Sequence, residues 1–352
     1  MAGLDRDDSE RLVEAVRDAY ARNQPLAIVG SGSKSFLMPA DDGARLLSVA
    51  EHAGVLEYRP DELVVTARAG TPLKDLQQLL SQHRQMLPFE PPLFGGGGTL
   101  GGALAAGLSG PGRPWRGSAR DALLGVELIN GRGERLRFGG KVLKNVAGYD
   151  LSRLQVGAFG TLGVLLAASV RVVPAPQAER TCLLDMPAAP ALQTVRALCA
   201  RPVPLTATCF AEGSLRLRFS GSEAAVLSAS RDAGGELVDG DRYWQDLRDH
   251  RLPVMRPDVP LWRVSLPPGA DPALQDGVVE WGGALRWLVA VDPGPGELAA
   301  GLGGWAARFG AGYARAVCDA LPPPQMKYQR RLKRNFDPEN LFNPGLVGTD
   351  AD

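Results

Sequence analysis

The segment from Leu143 to Val164 limits what this 352-residue chain can fold into more than any other. Lys144 and Asn145 stand just before a Gly148-Tyr149-Asp150 corner, and a short apolar run follows. Gly157, Gly160 and Gly163 then recur at three-residue spacing before a β-branched strand opens at Val164. Simple packing of a helix or a strand pair does not call for that order. Glycines so placed mark points where backbone comes close to something flat or tightly packed.

Two further glycine clusters lie upstream. Pro25 to Val29 has the pattern of a strand, and Gly30-Ser31-Gly32-Ser33-Lys34-Ser35 follows it. A bound pyrophosphate needs several backbone N–H groups converging on it with no Cβ atoms in the way, and this loop offers that, with hydroxyls besides. It is neither a Walker A loop nor a G-x-G-x-x-G turn opening a long helix. Taken alone it is also an ordinary Gly/Ser turn. The second cluster, Gly95 to Gly102, comes about 65 residues later. Pro91 and Pro92 stiffen its entry, and Thr99, Gly101 and Gly102 lead into a small-residue helix, Ala103 to Gly107. Two such loops, each after an apolar segment, suit a long dinucleotide held along its pyrophosphate. The alternative is a flexible surface loop.

The remaining pattern sets these loops in a mixed α and β frame. A helix is expected from about Asp8 to Ala21, capped by Ser9, and another from Thr71 or Pro72 to Gln82. Gly54 to Pro60 and Leu63 to Gly70 alternate like paired strands. Leu123–Ile129 and Glu134–Phe138 are expected as a hairpin across Asn130-Gly131, and Val164 to Val173 as a strand. Beyond the candidate linker Pro174–Pro176 the order reads as β-α-β-β-α-β, the ferredoxin-like order, its first five elements being Thr181–Asp185, Ala191–Ala200, Ala207–Glu212, Ser214–Phe219 and Ser222–Ala233. Strands at Trp262–Leu266 and Leu285–Val291 and a helix near Leu302–Phe309 come next. No internal repeat stands out. The tail, Gln325 to Gly345, is a basic helix ended by two Pro-containing turns.

Composition narrows the function classes. Basic and acidic residues balance at 39 each, which argues against a nucleic-acid surface. No apolar run is long enough to span a membrane, and the acidic, polar start is not a secretory signal. Cys182, Cys199, Cys209 and Cys318 form no C-x-x-C pair, so they are expected as buried, reduced thiols rather than ligands of a cluster or of zinc.

Densely from Pro25 to Pro174, and again from Arg330 to Leu346, the chain resembles the vanillyl-alcohol-oxidase (PCMH-type) flavoproteins. Within that family it is most similar to the flavin subunits of glycolate-oxidising complexes. The match is thin from Glu179 to Leu321. The resemblance implies an α+β fold: a PCMH-type FAD-binding domain of two α+β subdomains (1–176), a ferredoxin-like antiparallel-sheet cap (177–321), and a segment returning to the FAD domain (322–352). It assigns Gly30, Ser31, Gly32, Ser33 and Lys34 to the first pyrophosphate loop, and Pro92, Gly98, Thr99 and Gly102 to the second. In the run Arg113 to Asp121 it assigns Gly117, Ser118 and Asp121 to the cofactor, although Arg116, Arg120 and Asp121 equally fit a solvated turn with a surface ion pair. Gly163 and Val164 match residues whose backbone meets the adenine side. Lys144 and Asn145 are further candidates. A cation such as Lys144, Arg330 or Arg331 near flavin N1 would raise the flavin potential. A turn cap and a solvated helix face explain the same residues.

Two absences sharpen the resemblance. Some members tether FAD through a histidine or cysteine in the first loop, where this chain has only Ser, Lys and Phe, so FAD is expected to be non-covalent. Relatives that oxidise 2-hydroxy acids carry a His-x6-His metal pair with a Glu-His in the second half, the metal polarising the substrate. This chain has only His52, His83 and His250, with His250 expected at the surface, and no metal site is expected. Three readings follow. In the first, the chain is the FAD-binding subunit of a glycolate dehydrogenase complex. A sister FAD-dependent 2-hydroxy-acid dehydrogenase subunit and an iron–sulfur subunit are its partners, and it is cytoplasmic, meeting the membrane only through the complex. In the second it is a stand-alone flavin dehydrogenase of another acid or alcohol. In the third it is a flavin-free scaffold.

Overall fold

A computed structural model describes residues 5–39, 43–95, 97–140, 150–255, 260–267, 269–270, 277–289, 294–319 and 323–347. Lys144 and Asn145 lie outside them. The chain runs α1 (Ser9–Arg22), β1 (Leu26–Val29), β2 (Arg45–Ser48), β3 (Val55–Arg59), β4 (Val64–Arg68), α2 (Leu73–Gln82), β5 (Gln85–Met86), α3 (Leu100–Ala106), α4 (Arg113–Arg116), α5 (Ala119–Ala122), β6 (Leu123–Ile129), β7 (Arg135–Gly139), β8 (Val164–Arg171) and β9 (Val173–Pro174). It continues through β10 (Ala178–Asp185), α6 (Ala188–Cys199), β11 (Leu205–Ala211), β12 (Ser214–Gly221), α7 (Glu223–Ala233), β13 (Glu236–Val238), α8 (Asp241–Arg248), β14 (Leu261–Ser265), β15 (Val278–Glu280), β16 (Leu285–Val289), α9 (Gly294–Gly301), β17 (Trp305–Arg308), α10 (Tyr313–Asp319) and α11 (Pro323–Phe336). Two compact units result, one of residues 1–108, 118–174 and 311–352, the other of 109–117 and 175–310.

The first unit holds two layered pieces. Leu12, Val13, Val16 and Ala19 recur at helical spacing and bury one face of α1 against the parallel pair β1–β2. The cap of α1 differs from expectation: Asp7 Oδ1 accepts from Ser9 N at 3.0 Å, so the preceding carboxylate, not Ser9, holds the first turn. The second piece is an antiparallel sheet in the order β3-β4-β8-β6-β7, whose alternating residues bury Val65, Leu128 and Val170 against Leu73, Leu76 and Leu80 of α2 and Leu100 and Leu104 of α3. Each of these leucines contributes roughly 1.5–3 kcal/mol when fully buried. The β6–β7 turn is anchored by Asn130, whose Oδ1 accepts from Arg132 N and Glu134 N at 3.0 Å each.

The second unit is one eight-stranded antiparallel sheet, in the order β13-β10-β12-β11-β15-β16-β14-β17. β10, β11, β12 and β13 with α6 and α7 follow the expected β-α-β-β-α-β order, and their sheet order is fourth, first, third, second. Read from the opposite edge, β17-β14-β16-β15 gives the same order again. The two quartets therefore repeat one topology and join through β11 and β15, where Cys209 faces Glu280 and Phe210 faces Val279. No repeat is visible in the sequence, because strand order is set by hydrogen-bond pairing and leaves side-chain identity open. The helix expected near Leu302–Phe309 is instead the edge strand β17, pairing Trp262↔Arg308 and Ser265↔Trp305. There, pairing overrides the helical preference of Ala306-Ala307-Arg308.

Two stretches fall differently from the boundaries expected at 176 and 321. Residues 109–117 belong to the second unit: Trp281 Nε1 donates to Gly110 O at 3.1 Å, the Arg113 guanidinium lies 4.7 Å from the Trp281 ring, and Trp115 packs on the core of α6 and β10–β12. Residues from 311 onward belong to the first: Gly312 N donates to Met38 O at 3.0 Å. Cys182 and Cys209 are buried thiols, but Cys199 is exposed at the end of α6. His250 is not a free surface residue either. Its ring lies 4.3 Å from Trp287 and 4.7 Å from Phe309, and burial pulls its pKa down to about 3.

Candidate functional site

The first glycine loop is held at both ends. β1 stops at Val29, whose carbonyl accepts from Val49 N at 2.9 Å. Beyond it, Ser35 N donates to Gly32 O and Leu37 N to Lys34 O, and the side chain of Leu37 is fully buried. Between these anchors, the backbone N–H groups of Ser31, Gly32 and Ser33 meet no protein acceptor among the described residues. Three adjacent donors left over beside a cavity are what an anion takes.

The second loop lies directly against the first. A Cβ on Gly30 would sit 2.5 Å from Thr99 Oγ1, so only glycine lets the two loops touch. Thr99 caps α3, its Oγ1 accepting from Gly102 N at 3.1 Å. A Cβ on Gly101 would meet the Ala69 Cβ at 2.7 Å, which brings α3 down onto β4. Phe159 to Gly163 supply the opposite wall, and Asn343 closes it. Together these elements enclose a cavity of about 530 Å³ within the first unit. Its lining combines the polar loops with apolar Ile28, Val29, Met38, Leu46 and Leu165.

Eight of the residues expected at a cofactor line this cavity: Gly30, Ser31, Gly32, Ser33, Lys34, Thr99, Gly102 and Gly163. Others stand apart from it. Gly98 shapes the second loop, at φ +146° with its Cα side facing Leu73 and Lys34 Nζ. Pro92 is buried upstream in the same loop. Val164 points into the core shared by α1, β1 and β2. Ser118 and Asp121 form a capping box on α5, Asp121 Oδ2 accepting from Ser118 N at 2.8 Å and from its hydroxyl at 2.7 Å. Gly117 belongs to the second unit, at the end of α4. Of the three evenly spaced glycines, Gly160 and Gly163 line the cavity. At Gly157 a Cβ would meet nothing, but its Cα and N are what a Cβ on Gly107 would strike, at 2.9 Å.

The tail carries what sequence reasoning missed. Asn343 Oδ1 accepts from Ile28 N at 2.8 Å and its Nδ2 donates to Phe159 O at 2.5 Å. The Asn343-Pro344 dipeptide was legible as a turn, yet nothing in it pointed to residues so far upstream. Lys333, one of the basic tail residues, is buried. Its Nζ donates to Asp337 Oδ2, Thr161 O and Phe342 O, and Asp337 in turn accepts from Leu341 N and Phe342 N. Burial lowers the Lys333 pKa, and Asp337 opposes that shift. Arg331 is exposed and Arg330 half-buried on the same helix.

The histidines in the first unit serve packing and local hydrogen bonds. His52 is buried and its Nδ1 accepts from Asp8 N at 3.0 Å; the His83 ring stands edge-on to Tyr58 at 5.2 Å. No group of three or more potential metal-ligating residues is found among the described residues. Among them, too, no helix is long and apolar enough to cross a membrane.

A cavity lined by two touching glycine loops and set between a parallel strand pair and an antiparallel sheet fits the FAD-binding class of oxidoreductase folds. Residues 7–139 match the family model described as FAD binding domain. The structure is also similar to p-cresol methylhydroxylase with substrate bound, with a TM-score of 0.73 at 16% identity, covering 97% of this chain and 87% of that one. The chain is 43% identical to the glycolate oxidase subunit GlcE of Escherichia coli (strain K12) over 97% of each chain. It belongs to the family of that subunit, FAD-dependent oxidoreductases of the PCMH type. A further similarity, 31% over 62% of this chain and 48% of the other, is to the glycolate oxidase subunit GlcD of Bacillus subtilis (strain 168).

Proposed function

We propose that this chain is the FAD-binding subunit of a glycolate-oxidising complex that relays electrons from a sister FAD-dependent 2-hydroxy-acid dehydrogenase subunit to an iron–sulfur subunit. The similarity to GlcE across nearly the whole of both chains carries this reading. The paired glycine loops support the cofactor. In it, Gly30, Ser31, Gly32, Ser33 and Lys34 hold the pyrophosphate through backbone N–H groups and the Lys34 charge. Thr99 and Gly102 hold the second loop against it, Gly98 and Pro92 fix that loop's path, and Gly163 keeps the far wall flat.

Bound FAD supplies a two-electron acceptor that can also release electrons singly. The loop holds no histidine or cysteine to tether it, so acid or heat should release it. The relay reading calls for no metal. The histidines of the first unit are engaged in packing and local hydrogen bonds, and His250 lies against Trp287 and Phe309. Such a subunit is cytoplasmic and touches the membrane only through its complex. The exposed basic residues of α11, Lys327, Arg331 and Arg334, offer one docking face.

Anaerobic stopped-flow mixing of the isolated flavin-loaded chain with glycolate tests the reading. Flavin reduction is expected to be slow or absent alone, and fast once the sister and iron–sulfur subunits are added. Fast bleaching by glycolate alone would make the chain a stand-alone dehydrogenase and end the relay proposal. A purified chain without flavin would make it a scaffold.

A further inference from the structure

The cavity is walled by two pieces of chain far apart in sequence: β1, which carries the first glycine loop, and the segment Phe159–Gly163, whose Gly160 packs beside Ile28. Asn343 touches both. Its carbonyl oxygen accepts from Ile28 N, two residues before the loop, and its amide nitrogen donates to Phe159 O on the opposite wall. The side chain is 6% exposed and lines the cavity. Its backbone is in the left-handed region, at φ 42°, a conformation asparagine tolerates better than most residues. Contact is close enough that a Cβ on Gly160 would lie 2.9 Å from Asn343 Nδ2. The preceding residues are pinned by the buried Lys333–Asp337 pair, whose lysine also donates to Thr161 O in the same wall.

We propose that Asn343 is the positioning residue of the dinucleotide site, its amide setting the spacing between the glycine-loop strand and the Phe159–Gly163 wall, so that cofactor affinity depends on the docked tail. This rests on the reading of the cavity as the FAD site. Without the amide, Ile28 N and Phe159 O would lose this shared partner, and the spacing it sets would be lost, although Lys333 would still tie Thr161 O to the tail.

The test is FAD titration of the apoprotein, followed by flavin fluorescence, with the melting temperature of each apoprotein measured alongside. Asn343→Gly keeps the left-handed backbone without strain and removes only the bridge. Asn343→Asp is isosteric, keeps the acceptor for Ile28 N and sets a second oxygen against Phe159 O; it serves if the glycine variant does not fold. Leu80→Ala, in the core beneath α2 and away from the cavity, is the control for general destabilisation. The folded Asn343 variants should lose about tenfold or more in FAD affinity, while Leu80→Ala keeps wild-type affinity despite a lower melting temperature. A folded Asn343 variant within twofold of wild type would overturn the proposal. Equal loss in Leu80→Ala would overturn it too, by making the effect one of stability alone. Wild-type protein that fails to bind FAD would instead sink the underlying reading of the cavity.

Discussion

The first unit brings its backbones together by leaving side chains out, and the second by stacking large ones. In the first, Gly30 lies on Thr99, Gly101 on Ala69 and Gly160 on Asn343, each at a distance where a Cβ would collide. In the second lie all six tryptophans of the chain. There the Arg263 guanidinium is 5.4 Å from Trp281, 5.9 Å from Trp287 and 5.6 Å from Trp305, and Arg216 stacks on Tyr243 at 4.2 Å. A cradle for a polyanion needs exposed N–H groups, which side chains would cover. A sheet with no such duty gains stability by filling its face with aromatic surface. The contrast also supplies a probe: tryptophan emission reports on the second unit, and flavin content on the first.

The sharpest way to break the contrast is at the cradle. Gly32, at φ +76°, replaced by aspartate should lose at least about tenfold in flavin content per polypeptide, because a carboxylate enters where the proposed reading sets the pyrophosphate and the backbone is strained. Tryptophan emission, compared between apoproteins, should not move. Normal flavin content in Gly32→Asp would show the loop is misassigned.

Next in size is the buried pair. Asp337→Ala leaves Lys333 without its carboxylate in a site that is 3% exposed and should cost about 3–5 kcal/mol. In a urea titration the far-ultraviolet signal should shift well before the tryptophan signal does. A coincident shift of both would mean the two units unfold as one.

Acid should act on the second unit. The His250 pKa is about 3 in the folded chain, below its ordinary value, so the unfolded chain binds the extra proton between about pH 6.5 and 3. Stability contributed by the neutral ring is complete above that window and declines by about 1.4 kcal/mol per pH unit as pH falls through it. His250→Phe should flatten the acid limb of the tryptophan-monitored midpoint. In the first unit, His52 is also lowered by burial, but Asp7 and Asp8 oppose the shift, and its acid limb should be shallower.

The smallest effect is at the cap of α3. Thr99→Val removes the acceptor for Gly102 N and should cost about 1 kcal/mol, with FAD binding weakened severalfold. An unchanged affinity would mean that the second loop holds its shape through Gly30 contact alone.

Where the pattern was local, the sequence could be read. The two loops, the β6–β7 hairpin and the β-α-β-β-α-β run of the second unit follow from alternation, glycine placement and turn chemistry. His250 reads as solvated because a single polar residue in a charged stretch looks so, and Lys333 is no more distinct in its basic helix; only the packed neighbours show that both are buried. The segment of edge strand β17 reads as a helix in sequence because Ala306-Ala307-Arg308 favours one until β14 is there to pair with it.

By itself the sequence determined the backbone character of the first glycine loop. N–H groups without Cβ atoms, set after a strand, can be recognised from a few consecutive residues. Only the tertiary structure decided that Asn343, 315 residues beyond Ile28, lines the cavity beside it, and that residues 109–117 are built into the second unit. It also decided that the large sheet is one topology used twice. The physical reason is common to all three. A contact between distant segments leaves no period or spacing in either of them, and hydrogen-bonded strand order is written in backbone groups that every residue carries.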